Sequence, residues 1–245
     1  SNHSAYRTFV DRISKTKDSV REKSTKKRKS LGLRTARENL DDLVDPGSFL
    51  EFGAFAVAAQ RNRRDYEELQ LETSADGILT GFCNINEDEV GEDNSHAAAI
   101  IYDYSVLAGS QGFFHHQKLD RICEKAEEFS LPVIIFTEGG GGRPGDTDVT
   151  TQIAGLHIPS FSTWARLTGK CLKIAVNNGY CFAGNAVLFG CSDFMIATKQ
   201  SWIGMAGPAM IEGGGLGEIE PKEIGPAQEQ YKNGVLDYLA EDEKE

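Results

Sequence analysis

Long apolar runs, paired cysteines and recognised metal-binding motifs are all missing from the 245-residue sequence. No run of eighteen apolar residues occurs, and the N-terminus is charged where a signal peptide would have its apolar stretch. We therefore expect an intracellular protein without a membrane segment, in the cytoplasm or, if the source is eukaryotic, in the mitochondrial matrix. The five cysteines contain no C-x-x-C pair, so neither a disulfide framework nor a zinc site is indicated, and we expect no metal.

Positive charge is scarce after residue 37. Residues 1–37 hold 12 of the 26 Lys and Arg residues but only 3 of the 37 Asp and Glu residues. We expect a basic N-terminal arm over residues 1–37 and one main domain over residues 38–245. The basic stretch 12–30 has no aromatic residue to stack on a base, so nucleic acid is not an expected partner. The arm is either a partly helical segment packed on the body or on a partner, or a source of cations for a phosphorylated ligand.

Three apolar stretches each lead through a loop of small residues into a segment with helical character. They are IIYDYSVLAGSQG, VIIFTEGGGGRPGD and IAVNNGYCFAGNA. Strands that alternate with helices indicate α/β layering around a mostly parallel sheet. Apolar residues recur at helical spacing from Leu119 to Ala126 and predict a helix from about Gln111 to Phe129. The strongly polar residues 60–76 predict a surface excursion.

Four consecutive glycines, Gly139–Gly142, follow the second apolar stretch. Glycine raises the conformational entropy cost of folding, so this run indicates that main-chain atoms approach something closely. A phosphate-binding loop would need a following Lys-Ser or Lys-Thr pair, and a dinucleotide fingerprint would open the first strand-helix unit. Two such loops after neighbouring strands fit another use better: their N–H groups can converge on a carbonyl oxygen that gains negative charge, as in an oxyanion hole.

The segment IAVNNGYCFAGNAVLFGCSDFMIAT resembles the second oxyanion loop and following helix of the crotonase superfamily, whose members polarise acyl-CoA thioesters. Other motifs resemble, in order and spacing, the N-terminal half of carboxyltransferase subunits of biotin-dependent acyl-CoA carboxylases, of the acetyl- or propionyl-CoA type. They are TARENLDDLVDPGSFLEFGAF, ADGILTGFCNI, YDYSVLAGSQGFFHHQKLDRICEKA, GGGGR, IGMAGPAMIEGGGLG and NGVLDYL. The resemblance runs from about Leu31 to Leu239. It implies a crotonase-like α/β spiral of repeated strand-strand-helix units with an N-terminal helical arm.

The resemblance also implies roles for individual residues. The family's Ser-Gly-Gly-Ala-Arg pattern places its glycine pair on Gly140 and Gly141 and its arginine on Arg143, while the usual second-loop Gly-Gly becomes Gly184-Asn185. We expect the backbone amides of these two pairs to form the oxyanion site. Lys118 falls on the family's H-x-x-K-I lysine, and either faces a CoA phosphate or lies on the solvated side of its helix. The expected substrate-binding residues are Arg34, Arg37, Gly109, Ser110, Lys118 and Arg143.

The implied reaction transfers a carboxyl group from carboxybiotin, held by a partner domain, to the α-carbon of a short acyl-CoA such as acetyl- or propionyl-CoA. The amides would stabilise the enolate, and the resemblance implies that biotin itself takes the α-proton. Glu138, beside the first loop, is either a substitute base or a structural carboxylate.

Carboxyltransferases of this kind have a second crotonase-like half, which this sequence lacks, so we expect a fragment or a split subunit. The expected partners are an acyl-CoA, a biotin carboxyl carrier, a biotin carboxylase component, the C-terminal carboxyltransferase half and further copies of the chain. Two other classes stay open. One is a crotonase-type hydratase, isomerase or decarboxylase that acts without biotin, and the other is a non-catalytic acyl-CoA-binding or assembly subunit.

Overall fold

The strands form one mixed sheet in which each strand pairs with the next one along the chain. The computed structural model describes residues 2–149 and 158–245. The strands in these residues are β1 (Leu50–Phe52), β2 (Ile78–Asn84), β3 (His96–Tyr102), β4 (Val133–Phe136), β5 (Lys173–Phe182), β6 (Phe194–Gly204) and β7 (Tyr238–Ala240). The pairs β1–β2 and β2–β3 are antiparallel, and every later pair is parallel. The mostly parallel sheet that the sequence predicts is therefore present.

Helices connect and cover these strands. They are α1 (Asn2–Ser14), α2 (Glu22–Ser30), α3 (Ala36–Leu43), α4 (Tyr66–Glu72), α5 (Glu87–Val90), α6 (Glu92–Ser95), α7 (Phe113–Phe129), α8 (Ser160–Arg166), α9 (Gly184–Gly190), α10 (Pro208–Gly213) and α11 (Ala227–Lys232). The helix predicted up to Phe129 is α7. No helix within the described part of the chain combines the length and the apolar character that a membrane crossing requires.

The two faces of the sheet support two apolar clusters, and β3 contributes to both. Ala98, Ile100 and Tyr102 belong to one cluster, whereas the intervening Ala97, Ala99 and Ile101 belong to the other. This alternation follows from the two-residue period of a strand. Helix α7 covers the first face with its periodic apolar residues, and α3 covers the second face. The loops that follow the parallel strands therefore collect at one end of a rigid two-sided core.

The basic arm contacts the body through buried arginines. Arg21 is 3% exposed and its guanidinium lies 3.0 Å from the Asp103 carboxylate. Arg28 is 7% exposed and lies 2.6 Å from Glu138 and 3.5 Å from Glu243. Burying an unpaired charge is very costly, so these carboxylates are what allow the arm to pack here. This packing agrees with the helical-arm alternative, while the division at residue 37 stays a prediction.

The prediction that residues 60–76 form a surface excursion is wrong for much of the segment. Helix α4 lies here, and Leu69, Thr73 and Asp76 are fully buried. Asp76 accepts hydrogen bonds from other parts of the chain, and the Gln60 side chain donates to Asp146 at 3.0 Å. Polar residues are buried here because the segment supplies hydrogen-bond partners to the loop that follows β4.

Candidate active site

The first glycine loop (Gly139–Gly142) and the second glycine loop (Ala183–Ala186) lie side by side at the carboxyl ends of β4 and β5. The N–H of Gly139 donates to the Tyr180 carbonyl at 2.7 Å, which ties the first loop to β5. A Cβ built on Gly141 would lie 2.8 Å from the Ala183 Cβ and 3.7 Å from the Gly184 nitrogen. Parallel neighbouring strands thus bring together two loops that are more than forty residues apart in the sequence.

The second glycine loop leaves backbone donors free. Helix α9 begins at Gly184, and its first internal donor is the N–H of Val187, which bonds the Ala183 carbonyl at 3.1 Å. Among the described residues, no acceptor is hydrogen-bonded to the N–H groups of Gly184, Asn185 or Ala186. This is the usual condition of a helix start. Backbone strain falls on Ala183, with φ 53° and ψ −121°, whereas Asn185 is helical.

The first glycine loop is different, because its predicted donors are already used. The N–H of Gly140 donates to the Ala108 carbonyl at 3.1 Å. The N–H of Gly141 donates to the side-chain oxygen of Asn185 at 3.0 Å. Both N–H groups are therefore bonded within the chain, and the role of Gly140 and Gly141 as oxyanion donors stays a prediction. Within the part of the chain that the structure describes, Gly142 is the loop glycine whose N–H has no acceptor.

Arg143 lies in a buried polar network. Its guanidinium contacts Asp76, which lies within ion-pair distance, and approaches Asp146 at 3.5 Å. Its Nε donates to the Ser110 hydroxyl at 3.1 Å. Burial raises the pKa of Asp76, and the neighbouring guanidinium opposes that rise. Every guanidinium nitrogen of Arg143 is bonded inside the chain, and its role in substrate binding stays a prediction.

Ser110 and Gly109 likewise serve the fold. The Ser110 hydroxyl donates to the Leu107 carbonyl at 2.7 Å, and Gly109 has a positive φ of 63°. A Cβ on Gly109 would lie 2.3 Å from the Glu138 carbonyl oxygen, so only glycine fits there. Gly109 thus packs against the start of the first glycine loop and Ser110 bonds Arg143, while their role in substrate binding stays a prediction.

The three predicted phosphate-binding cations each have partners within the chain. Two guanidinium nitrogens of Arg37 donate to the two carboxylate oxygens of Glu51, at 2.9 and 3.0 Å. The Lys118 ammonium donates to backbone carbonyls, including that of Ala75 at 2.7 Å, and burial lowers its pKa to about 8. Both are engaged inside the chain, and their contact with CoA phosphates stays a prediction. Arg34 pairs with Asp42 at 2.6 Å but keeps 27% of its side chain exposed, and its role stays a prediction.

Glu138 follows β4 and is buried. Burial raises its pKa to about 7, although the Arg28 guanidinium at 2.6 Å opposes the rise. The carboxylate also packs against Gly179, where a Cβ would lie 2.2 Å from it. These contacts support the structural alternative over a catalytic base. In residues 2–149 and 158–245, no three His, Cys, Asp or Glu side chains are grouped to hold a metal ion.

Sequence reasoning missed two side chains at this site. The Asn185 carboxamide bonds the first loop, and the Gln111 side-chain oxygen occupies the space where a Gly184 Cβ would lie, 2.1 Å away. The asparagine in place of a family glycine was visible in the sequence, but its side-chain partners are 44 and more residues away. No local signal indicates such contacts.

A mostly parallel sheet whose strand ends carry two adjoining glycine loops is a crotonase-like α/β arrangement. Residues 27–245 match the family described as "Carboxyl transferase domain", and the chain belongs to this family. The crotonase-like fold that the sequence predicts is confirmed by this match and by the solved relatives.

Two curated relatives illustrate the family. The chain is 30% identical over 224 residues to the methylmalonyl-CoA carboxyltransferase 12S subunit of Propionibacterium freudenreichii subsp. shermanii, covering 91% of this chain and 40% of that protein. It is 28% identical over 235 residues to the biotin-dependent long chain acyl-coenzyme A carboxylase beta4 subunit of Mycobacterium tuberculosis, covering 95% and 41%. The chain thus spans about two fifths of the curated relatives it matches.

Two solved structures extend the comparison. A single-chain, multi-domain long-chain acyl-CoA carboxylase superposes with a TM-score of 0.92 at 48% identity, covering 98% of this chain and 24% of that one. The transcarboxylase 12S structure with hydrolysed methylmalonyl-coenzyme A bound gives a TM-score of 0.77 at 27% identity, covering 98% and 45%. This chain corresponds to one part of each larger protein.

Proposed function

We propose that this chain forms the acyl-CoA side of the carboxyltransferase in a biotin-dependent acyl-CoA carboxylase. The observation that carries the proposal is the set of unbonded amides at Gly184, Asn185 and Ala186, beside a first loop that approaches to contact distance. The proposed substrate is a short acyl-CoA, acetyl- or propionyl-CoA, because curated relatives include propionyl-CoA carboxylase beta chains.

The difficult step is removal of a poorly acidic α-proton. Negative charge then moves onto the thioester oxygen, and fixed N–H donors at the start of α9 stabilise it. One such donor contributes about 3 kcal/mol to transition-state stabilisation in other enzymes. The missing side chain at Gly184 leaves room for the Gln111 side-chain oxygen beside these amides, and the first loop packs against Ala183.

Carboxybiotin, delivered by a partner domain, supplies the carboxyl group to be transferred. The expected partners are a biotin carboxyl carrier, a biotin carboxylase component, the C-terminal carboxyltransferase half and further copies of the chain, in the cytoplasm. We assign no proton-accepting side chain in this chain, because Glu138 is paired with Arg28. Residues 1–37 act as an arm on the domain of residues 38–245.

Calorimetry with propionyl-CoA, acetyl-CoA and free CoA tests the binding part of this proposal. We expect both esters to bind more tightly than free CoA, and binding to weaken with salt if Arg34 contacts a phosphate. Joined to its C-terminal half and a carboxylated biotin carrier, the protein should convert propionyl-CoA to methylmalonyl-CoA, as measured by mass spectrometry. Failure of every CoA ester to bind, or hydration of an enoyl-CoA without biotin, would count against the assignment.

A further inference from the structure

The Asn185 side chain connects three parts of the candidate site. It is fully buried. Its oxygen accepts the Gly141 N–H at 3.0 Å, while its amide nitrogen donates to the Thr137 carbonyl at 2.9 Å and to the Gly109 carbonyl at 3.4 Å. One carboxamide therefore links the start of α9 to the first glycine loop and to the loop after β3. A carboxamide can do this because it carries both an acceptor and donors.

Gly139 has no side chain where the Asn185 carboxamide packs. A Cβ on Gly139 would lie 2.2 Å from the Asn185 amide nitrogen and 2.1 Å from the Gly109 carbonyl oxygen. In the five-residue family pattern described above, Gly139 stands at the serine position and Asn185 at a glycine position. The two departures meet in space, since the group gained at residue 185 fills the volume lost at residue 139. The contact is therefore a built feature of this chain.

We propose that Asn185 is a positioning residue of the oxyanion site, in addition to offering its backbone amide. Its carboxamide takes the Gly141 N–H out of use and holds the first loop against α9. The substrate oxygen is then bound by the amides at the start of α9. This inference rests on the proposed function for its catalytic consequence. The clamp, by which we mean the hydrogen bonds of the Asn185 carboxamide to Gly141, Thr137 and Gly109, is present in the chain without a ligand.

Amide hydrogen exchange of the unliganded 245-residue chain tests the clamp. We expect Asn185→Ala to speed exchange of the Gly141 amide at least tenfold, because its acceptor is removed. The Gly139 amide, which bonds Tyr180, should change little and serves as the internal control. Unchanged protection of Gly141 would overturn the inference, whether or not any CoA ester binds.

Turnover of Asn185 variants tests the positioning role in the protein joined to its C-terminal half and biotin carrier. We expect Asn185→Ala to lower kcat for propionyl-CoA at least tenfold with little change in KM. Asn185→Asp has the same shape, but its carboxylate would face two carbonyl oxygens and should lower kcat further. Lowering the pH protonates that carboxyl and restores a donor, so Asn185→Asp should recover kcat while Asn185→Ala does not.

A side chain that only fills space would give another pattern. Asn185→Asp would then match the wild type at every pH, and that result would overturn the positioning role. Normal turnover by Asn185→Ala would overturn it as well. If the wild type binds propionyl-CoA but does not carboxylate it, the proposed function fails while the exchange result for Gly141 still decides the clamp.

Discussion

The two glycine loops differ in whether their backbone N–H groups are hydrogen-bonded within the chain. The first has four glycines, yet the N–H groups of Gly139, Gly140 and Gly141 are all bonded within the chain. The second has a single glycine followed by asparagine, yet it leaves three consecutive N–H groups without an acceptor among the described residues. The glycines of the first loop therefore reflect the close packing of chain segments there. The free N–H groups of the second loop result from the start of a helix.

The comparison assigns different tasks to the loops. The glycines of the first loop permit backbone contacts that a Cβ would prevent, as at Gly139. The second loop enters α9 through Ala183, a residue strained at positive φ directly before the helix. The variants below separate these tasks, from the largest expected effect to the smallest.

Removing a donor from the second loop should have the largest effect. Asn185→Pro and Asn185→Ala both lose the side chain, but only proline also loses the N–H. Proline is tolerated in the first turn of a helix. We expect kcat of Asn185→Pro to be about a hundredfold below that of Asn185→Ala, measured with propionyl-CoA in the complete enzyme. Equal kcat values in two folded variants would show that the residue 185 amide does not act.

Adding a Cβ to the first loop should mainly affect stability. Gly139→Ala would force contacts near 2.1 Å, including one with a backbone oxygen that cannot rotate away. We expect the free energy of unfolding to fall by about 3 kcal/mol, measured by urea denaturation. Gly142→Ala is the matched control, because nothing lies within 4 Å of its added Cβ. Similar stabilities for both variants would contradict the close packing at Gly139.

The ionisation of Glu138, directly before the first loop, should make the free energy of unfolding depend on pH. The folded-state pKa of Glu138 is about 7, above the ordinary value of 4.5. The protonated carboxyl therefore contributes stability that is fully present below pH 4.5 and is lost as the pH rises through 7. Relative to Glu138→Gln, we expect the wild type to lose about 2 kcal/mol of unfolding free energy across this window.

Glu243→Gln provides the control for that titration. Glu243 raises the pKa of Glu138, so its neutralisation should move the window to lower pH. Parallel stability curves for the wild type and Glu138→Gln between pH 4.5 and 7 would rule out the buried titration.

Relieving strain in the second loop should have the smallest effect. Glycine adopts the Ala183 conformation without a Cβ conflict, so the substitution relieves about 1–3 kcal/mol of backbone strain. Glycine also has more conformational freedom in the unfolded chain, which offsets part of this stabilisation. We expect Ala183→Gly to raise the unfolding free energy by about 1 kcal/mol in urea denaturation. A loss of stability would mean that the Ala183 Cβ contributes more through its contact with Gly141 than it costs in strain.

The sequence predicted elements well and hydrogen-bond partners poorly. Helix α7 and the buried face it covers follow from apolar spacing, which depends only on neighbours in the chain. The meeting of the two loops follows from parallel strand order. The use of the Gly141 amide could not be predicted, since its acceptor is a side chain 44 residues away. The ion pairs of Arg37 with Glu51 and of Arg143 with Asp76 could not be predicted either, because the partners are not sequence neighbours.

The order of the sheet bears on how the chain assembles. Each strand pairs with the one made just before it, so a growing chain can add every new strand to an edge that already exists. Among the strands in residues 2–149 and 158–245, no early strand waits for the last one to pair. The outermost strands have three residues each, which leaves few unpaired backbone groups for another molecule to join. Among the described strands, the order of synthesis and the order of pairing coincide.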